Sequence, residues 1–324
     1  DNYQLTFTAT YSREFGDHSV NALFAIEKSE SEFEDLYGMG TKPYEFSTGQ
    51  WNSINTSDGG VTSSTFDRTE SGTLSYIGRV NYAYANRYLV ELLVRSDAST
   101  KFAPENYWGY FPSASLGWIA SEEEWMKDIK WIDYLKLRGS FGLTGRDNIT
   151  AWQWMQVYKV ESDKGAVVGP NGNAGSHITI PNGNASVNRD VRWDKSYKAN
   201  IGLDFNTLNN RLAFNVDAYY VWDRDILLPF SASVPGIVGT ASAYQNYGKM
   251  NSYGIELSAT WRDNIGKDFK YKVQINTGFN DNKVLLMDWD EDHTYMKVHK
   301  NSRTDMGTWG MQCLGMFRSY QDIE

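Results

Sequence analysis

The sequence of 324 residues has no apolar run near the roughly 18 residues that a membrane-spanning helix needs, so helical spanning is excluded. Its one cysteine, Cys313, excludes an internal disulfide and a cysteine-based metal cluster. The formal net charge of −9 argues against the basic stripe that nucleic-acid binding requires, so no nucleic-acid partner is expected. No charged and apolar leader precedes the first strand pattern at Asp1, so we expect the natural chain to be longer at this end.

Aromatic residues are abundant, at 15% of the chain, and they recur in segments where apolar and polar residues alternate. Alternation with a period of two is typical of strands that have one apolar face. We therefore predict an all-β fold of about ten strands, with one short helical turn near residues 122–128. The alternation is clear at 73–84, 196–207, 211–222, 253–261 and 271–279, and weaker at 2–13, 18–28, 87–95, 111–120 and 134–144.

The predicted connections alternate in length along the chain. Short turns are predicted at residues 16–17, 85–86, 209–210 and 263–268, where Asn and Gly supply the positive φ of tight hairpins. Tight turns that alternate with long loops are typical of an antiparallel up-and-down transmembrane β-barrel. The long extracellular loops are predicted at about 29–71, 96–110, 145–192, 229–247 and 281–324, with one further connection at 121–133.

Alternation alone fits a membrane barrel or a soluble β-sandwich, since both give strands one apolar face. The aromatic residues favour the barrel because they recur eight residues apart on the apolar faces, roughly 26 Å along a strand. On a tilted strand this approaches the apolar band of about 25 Å that aromatic girdles flank in membrane barrels. The predicted lipid-facing girdle consists of Tyr76, Tyr84, Tyr197, Phe205, Phe214, Trp222, Tyr253, Trp261, Tyr271 and Phe279.

Ordered blocks of sequence support the barrel interpretation. They include Arg95-Ser96-Asp97-Ala98-Ser99, Trp108-Gly109-Tyr110-Phe111-Pro112-Ser113, Leu135-Lys136-Leu137-Arg138 and Asn251-Ser252-Tyr253-Gly254-Ile255-Glu256. In these blocks the chain resembles the SusC/RagA-type TonB-dependent transporters of the Bacteroidetes outer membrane. We expect Pro112 to begin a strand at the outer rim, where a residue without an N–H is tolerated.

The resemblance implies a Gram-negative outer-membrane barrel of about 22 strands with a plugged lumen. It also implies import of oligomeric nutrients, glycan or peptide, together with a SusD-like surface lipoprotein. The expected partners are outer-membrane lipids, that lipoprotein, and TonB through an N-terminal region that this sequence lacks. Because about ten strands would leave open edges in lipid, residues 1–324 are expected to be the barrel portion of a longer chain, without its plug.

Two other functional classes stay open at this point. One is a barrel scaffold or accessory subunit of a larger outer-membrane assembly. The other is a soluble glycan-binding or hydrolytic β-protein. No nucleophile elbow, phosphate loop or dinucleotide fingerprint occurs in the sequence, so no catalytic residue is predicted and the chain is not expected to be an enzyme.

Candidate binding residues come from the predicted loops and from the polar faces of the strands. Loop aromatics can stack on sugar rings or peptide side chains, although each could instead pack the loops. The substrate-binding candidates are Trp51, Tyr107, Trp152, Trp154 and Trp289. The residues predicted to face the lumen or plug are Arg79, Lys198, Asp204, Arg211, Asp217, Glu256 and Lys272.

One acidic run has the spacing of a calcium loop, with carboxylates at Asp288, Asp290 and Asp292. The positions that such a loop gives to glycine and glutamate hold His293 and His299 instead. A solvated outer loop is therefore the favoured interpretation, and no metal or other cofactor is expected.

Overall fold

The computed structural model describes residues 1–40, 61–152, 154–155, 159–161, 166–168, 176–179, 187–229, 244–287, 298–305 and 307. Ten strands form one antiparallel sheet, in which each strand pairs with its neighbours in chain order. The predicted all-β, up-and-down architecture is therefore confirmed. The strands of this sheet are β1 (Asn2–Phe15), β2 (His18–Gly40), β3 (Val61–Tyr84), β4 (Tyr88–Ser99), β5 (Trp108–Ile119), β6 (Ile132–Arg146), β10 (Asp194–Thr207), β11 (Leu212–Pro229), β12 (Tyr244–Ile265) and β13 (Phe269–Leu286).

Three short strands, β7 (Lys159–Glu161), β8 (Ala166–Val168) and β9 (Ser176–Thr179), form a separate sheet in the order β7-β9-β8. They lie between β6 and β10, in a segment predicted to be a loop. Three- and four-residue strands are too short for an alternation pattern to mark them.

Helix is scarce in the described residues. Two 3-10 helices span Pro104–Asn106 and Ala120–Glu122. The second begins two residues before the predicted helical turn at 122–128, and bonds between residues three apart continue the winding to residue 132. No helix in the described part of the chain is long and apolar enough to cross a bilayer.

Tight connections lie at one end of the large sheet, which we call the turn end. Ala85 and Asn86 have φ of 51° and 53°, as a primed two-residue hairpin turn requires. At the β10–β11 turn, three consecutive residues at 208–210 have positive φ. The N–H of Asn210 donates to the carboxylate of Asp133 at 2.8 Å, which ties this turn to the start of β6. The predicted turns at 85–86 and 209–210 are therefore confirmed.

The opposite end of the sheet, which we call the loop end, carries the longer connections. Short and long connections alternate as predicted except on either side of β5, where the turn-end connection at 120–131 is longer than the loop-end connection at 100–107. The strands also run into the segments predicted as loops. The structure corrects the bounds of four predicted loops, at 96–110, 145–192, 229–247 and 281–324. β4 continues to Ser99 and β6 to Arg146, β12 already begins at Tyr244, and β13 continues to Leu286. Backbone pairing needs no apolar side chain, so alternation of side-chain polarity underestimates strand length.

The largest correction concerns the predicted loop 29–71. β2 runs to Gly40 and β3 begins at Val61, so the two strands continue as a ribbon beyond the pair of Glu30 with Gly72. This part of the sequence is rich in Glu, Ser and Thr on both strands, and it therefore carries no apolar face that a pattern could reveal. Residues 41–60 lie outside the described residues.

The predicted place of Pro112 at the start of a strand was wrong. Pro112 is the fifth residue of β5 and lies opposite Val94 of β4. Pairing between β5 and β6 begins only at Ser113 and Gly142. A residue without an N–H is tolerated at Pro112 because the strand has not yet begun to pair on its β6 side.

The pairing register divides the side chains of the sheet into two faces, because opposed residues in neighbouring strands point the same way. One face, the apolar face, includes Ile201, Phe7 and Ile275, which are 71%, 61% and 65% exposed. The other, the polar face, includes Asp204 and Asp217, as well as an unbroken run of polar residues on β1 from Asn2 to Glu14. A continuous exposed apolar face of this extent is far larger than the patches on soluble monomers.

Candidate functional site

The polar face carries an ion-pair cluster centred on Arg138 of β6. Its guanidinium donates to Asp204 at 2.9 and 3.0 Å and to Asp217 at 3.0 Å. The side-chain amide of Asn215 also donates to Asp204, at 2.7 Å. A Cβ at Gly202 would lie 2.7 Å from both Arg138 Cζ and a carboxylate oxygen of Asp217. Glycine at this position therefore leaves the room in which one arginine bridges two neighbouring strands.

Asp204 and Asp217 were predicted on this face, whereas Arg138 was not singled out. It lies in the Leu-Lys-Leu-Arg block, where polarity alone marks it only as one of several polar residues. Its central role depends on the register of β6 with β10, which places Arg138 opposite Gly202.

The other predicted polar-face residues also lie on that face. Glu256 lies opposite Asp217, and Arg211 forms an exposed contact of 3.4 Å with Asp263 at the turn end. Arg79 lies between Leu23 and Leu93, and its Nε is buried without a hydrogen-bond partner in the described residues. The two predicted lysines lie opposite residues of the adjacent strands, Lys198 opposite Val221 and Lys272 opposite Arg262.

A second ion-pair group on the polar face was not predicted. Arg95 of β4 donates to Asp97 at 2.7 and 2.8 Å and to Ser75 of β3 at 3.1 Å. Ser75 and Asp97 are only 2% and 7% exposed. The Arg-Ser-Asp block of the sequence marked Arg95 and Asp97 as distinctive, but not as partners, and Ser75 lies outside that block.

The predicted girdle aromatics all lie on the apolar face, and all but Phe279 fall into two groups. Near the turn end, Tyr84 stacks on Tyr88 with ring centroids 6.4 Å apart, and Phe205 stacks on Phe214 at 6.5 Å. Nearby, the indole N–H of Trp261 lies 3.4 Å from the Tyr271 hydroxyl. Together, Phe15, Tyr84, Tyr88, Trp118, Phe205, Phe214, Trp261 and Tyr271 form what we call the turn-end row.

Near the loop end, Tyr76 stacks on Trp108 at 5.9 Å, and Tyr220 contacts Trp222 at 4.6 Å and Tyr253 at 5.8 Å. Tyr197 lies directly opposite Trp222. Phe279 is 62% exposed on the same face but lies near the middle of β13. Because β13 is longer than the predicted strand, its eight-residue spacing from Tyr271 does not bring Phe279 to the loop end.

A small buried core lies at the loop end of the sheet. Phe102 is fully buried and packs with Ile149, Val191 and Leu227. The predicted substrate-binding residue Tyr107 packs against this core, and its carbonyl accepts a 2.9 Å hydrogen bond from the Trp193 indole. Tyr107 therefore forms part of the packing that holds the β4–β5 connection against the segment between β6 and β10 and against β11.

Trp152 and Trp154 lie side by side at the loop end, with ring centroids 6.1 Å apart. The guanidinium of Arg189 lies 5.1 Å from the Trp154 ring centroid and donates to Glu105 at 2.9 and 3.1 Å, hydrogen bonds that lower the pKa of the Glu105 carboxyl. Trp152 has a φ of 66° and donates its indole N–H to the Glu70 carbonyl at 2.8 Å. A bulky residue held at positive φ is strained, and such strain is common at binding sites.

The remaining candidates, Trp51, Trp289, Asp288, Asp290 and Asp292, lie outside the described residues. Within the residues that are described, no group of three or more His, Cys, Asp or Glu side chains is placed to hold a metal ion.

The sheet has ten strands in up-and-down order and one exposed apolar face. That face carries two groups of aromatic residues, and the opposite face carries the charged clusters. This arrangement defines the wall of a membrane-spanning β-barrel. Residues 1–303 match the family model described as TonB dependent receptor-like, beta-barrel, and the chain belongs to that family. The family consists of outer-membrane transport receptors and not of enzymes.

Named relatives agree with this assignment. The chain is 34% identical over 231 residues to the TonB-dependent receptor SusC of Bacteroides thetaiotaomicron. The aligned region covers 70% of this chain and 22% of SusC. It is 31% identical over 288 residues to the TonB-dependent receptor P3 of Formosa agariphila, covering 87% of this chain and 27% of that protein. The solved structure of the RagAB peptide transporter superposes with a TM-score of 0.74 at 25% identity, over 87% of this chain and 30% of that one. The chain thus spans about a quarter of the length of these relatives.

Proposed function

We propose that this chain forms part of the barrel wall of a TonB-dependent importer of oligomeric nutrients, glycan or peptide. The proposal rests on the separation of the ten-stranded sheet into an apolar face and a polar face. The apolar face meets outer-membrane lipids, with its aromatic residues as girdles, and the polar face lines the lumen. In that lumen, the clusters around Arg138 and Arg95 contact the plug or the passing nutrient.

The proposed partners are TonB, through a region outside this sequence, and a SusD-like surface lipoprotein seated over the loop end. Support comes from the family assignment and from the likeness to SusC and to RagAB. The solved relative is described as a peptide transporter, which makes peptides one of the two substrate classes to test.

The direction of the two faces is testable by cysteine labelling of the full-length transporter in whole cells with Cys313→Ser as the background. Asn200→Cys on the polar face should react with a small membrane-impermeant thiol reagent. Ile201→Cys, on the next residue and 71% exposed, should be protected by lipid. Rapid labelling of Ile201→Cys, or recovery of the protein in the soluble fraction without detergent, would contradict the barrel wall.

We further propose that Trp152 and Trp154 bind the nutrient by ring stacking at the loop end. Two indole rings that lie side by side near a guanidinium suit sugar rings and peptide side chains. Replacing both with Ala should weaken binding of the oligomer by at least about tenfold, which corresponds to roughly 1.4 kcal/mol. Trp108→Ala, which removes an aromatic at the same end but on the apolar face, is the matched control. Equal affinities for both variants would exclude the pair as a subsite.

Transport itself is tested by uptake of labelled oligomers into cells that carry the gene or lack it. Import should stop when TonB is deleted or when a protonophore collapses the proton gradient. Uptake that is unchanged by deletion of the gene would favour the alternative of a scaffold or accessory subunit.

A further inference from the structure

The connection between β5 and β6, residues 120–131, projects two tryptophans at the turn end of the sheet. The side chains of Trp125 and Trp131 are 60% and 63% exposed. Trp125 contacts Trp118 with ring centroids 6.5 Å apart, and Trp131 meets Phe205 edge-on at 6.0 Å. Trp118 and Phe205 both belong to the turn-end row, so the two exposed indoles lie on the apolar side of the wall and continue that row past the ends of the strands.

The connection is an ordered segment. The carboxylate of Glu123 accepts hydrogen bonds from the Tyr88 hydroxyl at 2.6 Å, the Trp118 indole at 3.1 Å and Arg87 at 3.2 Å. Met126, between the two tryptophans in sequence, is only 5% exposed. A buried anchor and a carboxylate with three donors fix the backbone, so the exposure of the indoles is set by the fold.

The charges of the connection fit a boundary between lipid and water. Glu124 is 84% exposed and holds Lys127 at 2.9 Å. Lys130, beside Trp131 in sequence, is exposed and forms no ion pair within the described residues. Indole rings prefer the headgroup level of a bilayer, where the ring is apolar and the N–H stays hydrated. A lysine at the same level extends its ammonium towards phosphate.

We propose that residues 120–131 bind phospholipid headgroups of the leaflet at the turn end. Trp125 and Trp131 insert at the level of the headgroups and upper acyl chains, and Lys130 contacts a phosphate. The connection thereby fixes the depth of the wall in the membrane. This proposal rests on the proposed barrel wall, because it needs the apolar face to meet lipid.

The test uses the full-length transporter labelled with 5-fluorotryptophan and reconstituted in phosphatidylcholine nanodiscs. Fluorine resonances of the two indoles are assigned by their loss in Trp125→Phe and Trp131→Phe. A nitroxide on the lipid headgroup should broaden both resonances at least about threefold more than a nitroxide near the end of the acyl chain. A soluble gadolinium chelate should broaden them less than the headgroup label.

Controls within the same sample separate this proposal from the barrel wall. Trp222 and Trp261, assigned in the same way, report whether the wall meets lipid, and Trp193 in the loop-end core should respond weakly to both lipid labels. If Trp222 and Trp261 respond to lipid but Trp125 and Trp131 respond only to the gadolinium chelate, headgroup binding is overturned while the wall stands. If none of the four responds to lipid, both proposals fail. Lys130→Gln should weaken the headgroup effect at Trp131, and an unchanged effect would remove the phosphate contact.

Discussion

Replacing Arg138 with Met should destabilise the folded wall by about 2 kcal/mol. The substitution keeps the aliphatic stem but removes three charge-assisted hydrogen bonds of 2.9 to 3.0 Å, and it leaves Asp204 and Asp217 without the guanidinium that bridges them. Hydrogen bonds to charged groups contribute about 1.5–3 kcal/mol each when well buried. The side chain of Arg138 is 33% exposed and those of Asp204 and Asp217 are 18% and 26% exposed, so water screens much of the interaction. We therefore take the lower part of the range for the whole cluster rather than the sum.

The assay is urea unfolding of the full-length transporter in lipid vesicles, followed by the heat-dependent gel mobility of the folded barrel. Arg211→Met is the matched control, because Arg211 has one contact of 3.4 Å and a side chain that is 49% exposed. That variant should lose less than about 0.5 kcal/mol. A double-mutant cycle of Arg138→Met with Asp217→Asn should show coupling of at least about 0.5 kcal/mol. Equal losses for both arginines, or no coupling, would refute the bridging role of Arg138.

Three further variants test the packing and the charges of the wall. Gly145→Ala should cost about 1–3 kcal/mol in urea unfolding, because a Cβ there would overlap Cζ of Phe111. Phe102→Ala should accelerate amide hydrogen exchange in residues 100–107 and 187–193, since removing a fully buried phenyl ring typically costs about 3–5 kcal/mol. The pKa of Glu123 is held below its usual range, foremost by the hydrogen bond from Tyr88. The ionised carboxylate therefore stabilises the fold fully when the pH is above the ordinary pKa of a glutamate. That stabilisation is lost as the pH falls through the lowered pKa of the folded state. Glu123→Gln should therefore flatten the dependence of the Tm on pH below about pH 4.3.

Each of these variants has a control in the same chain. Gly139→Ala should be tolerated, because a Cβ there meets nothing within 4 Å, and an equal loss for both glycines would contradict the overlap. Tyr110→Ala, at a site 65% exposed, should leave exchange at the loop end unchanged. Glu14→Gln should retain the acid dependence of the Tm that Glu123→Gln flattens.

The faces of the sheet were predictable to a large extent because strand geometry repeats every two residues. Period-two alternation placed Tyr197 and Ile201 on one face and Lys198 and Asp204 on the other, and the register confirms this assignment. The ends of the strands were less predictable. β2 and β3 run through a polar segment, where the two strands form backbone hydrogen bonds although their side chains show no apolar alternation.

The candidate site was predictable in kind but not in its partners. The sequence indicated that Asp204 and Asp217 share a face. Their bridge through Arg138 depends on β6, β10 and β11 lying side by side, although Arg138 is 66 and 79 residues from its two partners in the chain. The same holds for Trp125 and Trp131. They lie in the connection predicted at 121–133, and only the contacts with Trp118 and Phe205 show on which side of the wall they lie.

The sequence by itself determined the fold class, the alternation of turns with loops and the two faces, because these depend on local backbone geometry and on the polarity of successive residues. It also carried the family, through ordered blocks spread along most of the chain. Tertiary structure alone decided the register between strands. That register sets which charges meet across Gly202, how far the β2–β3 ribbon extends, and where the aromatics of distant strands come into contact, because all three depend on distances between segments that are remote in the chain.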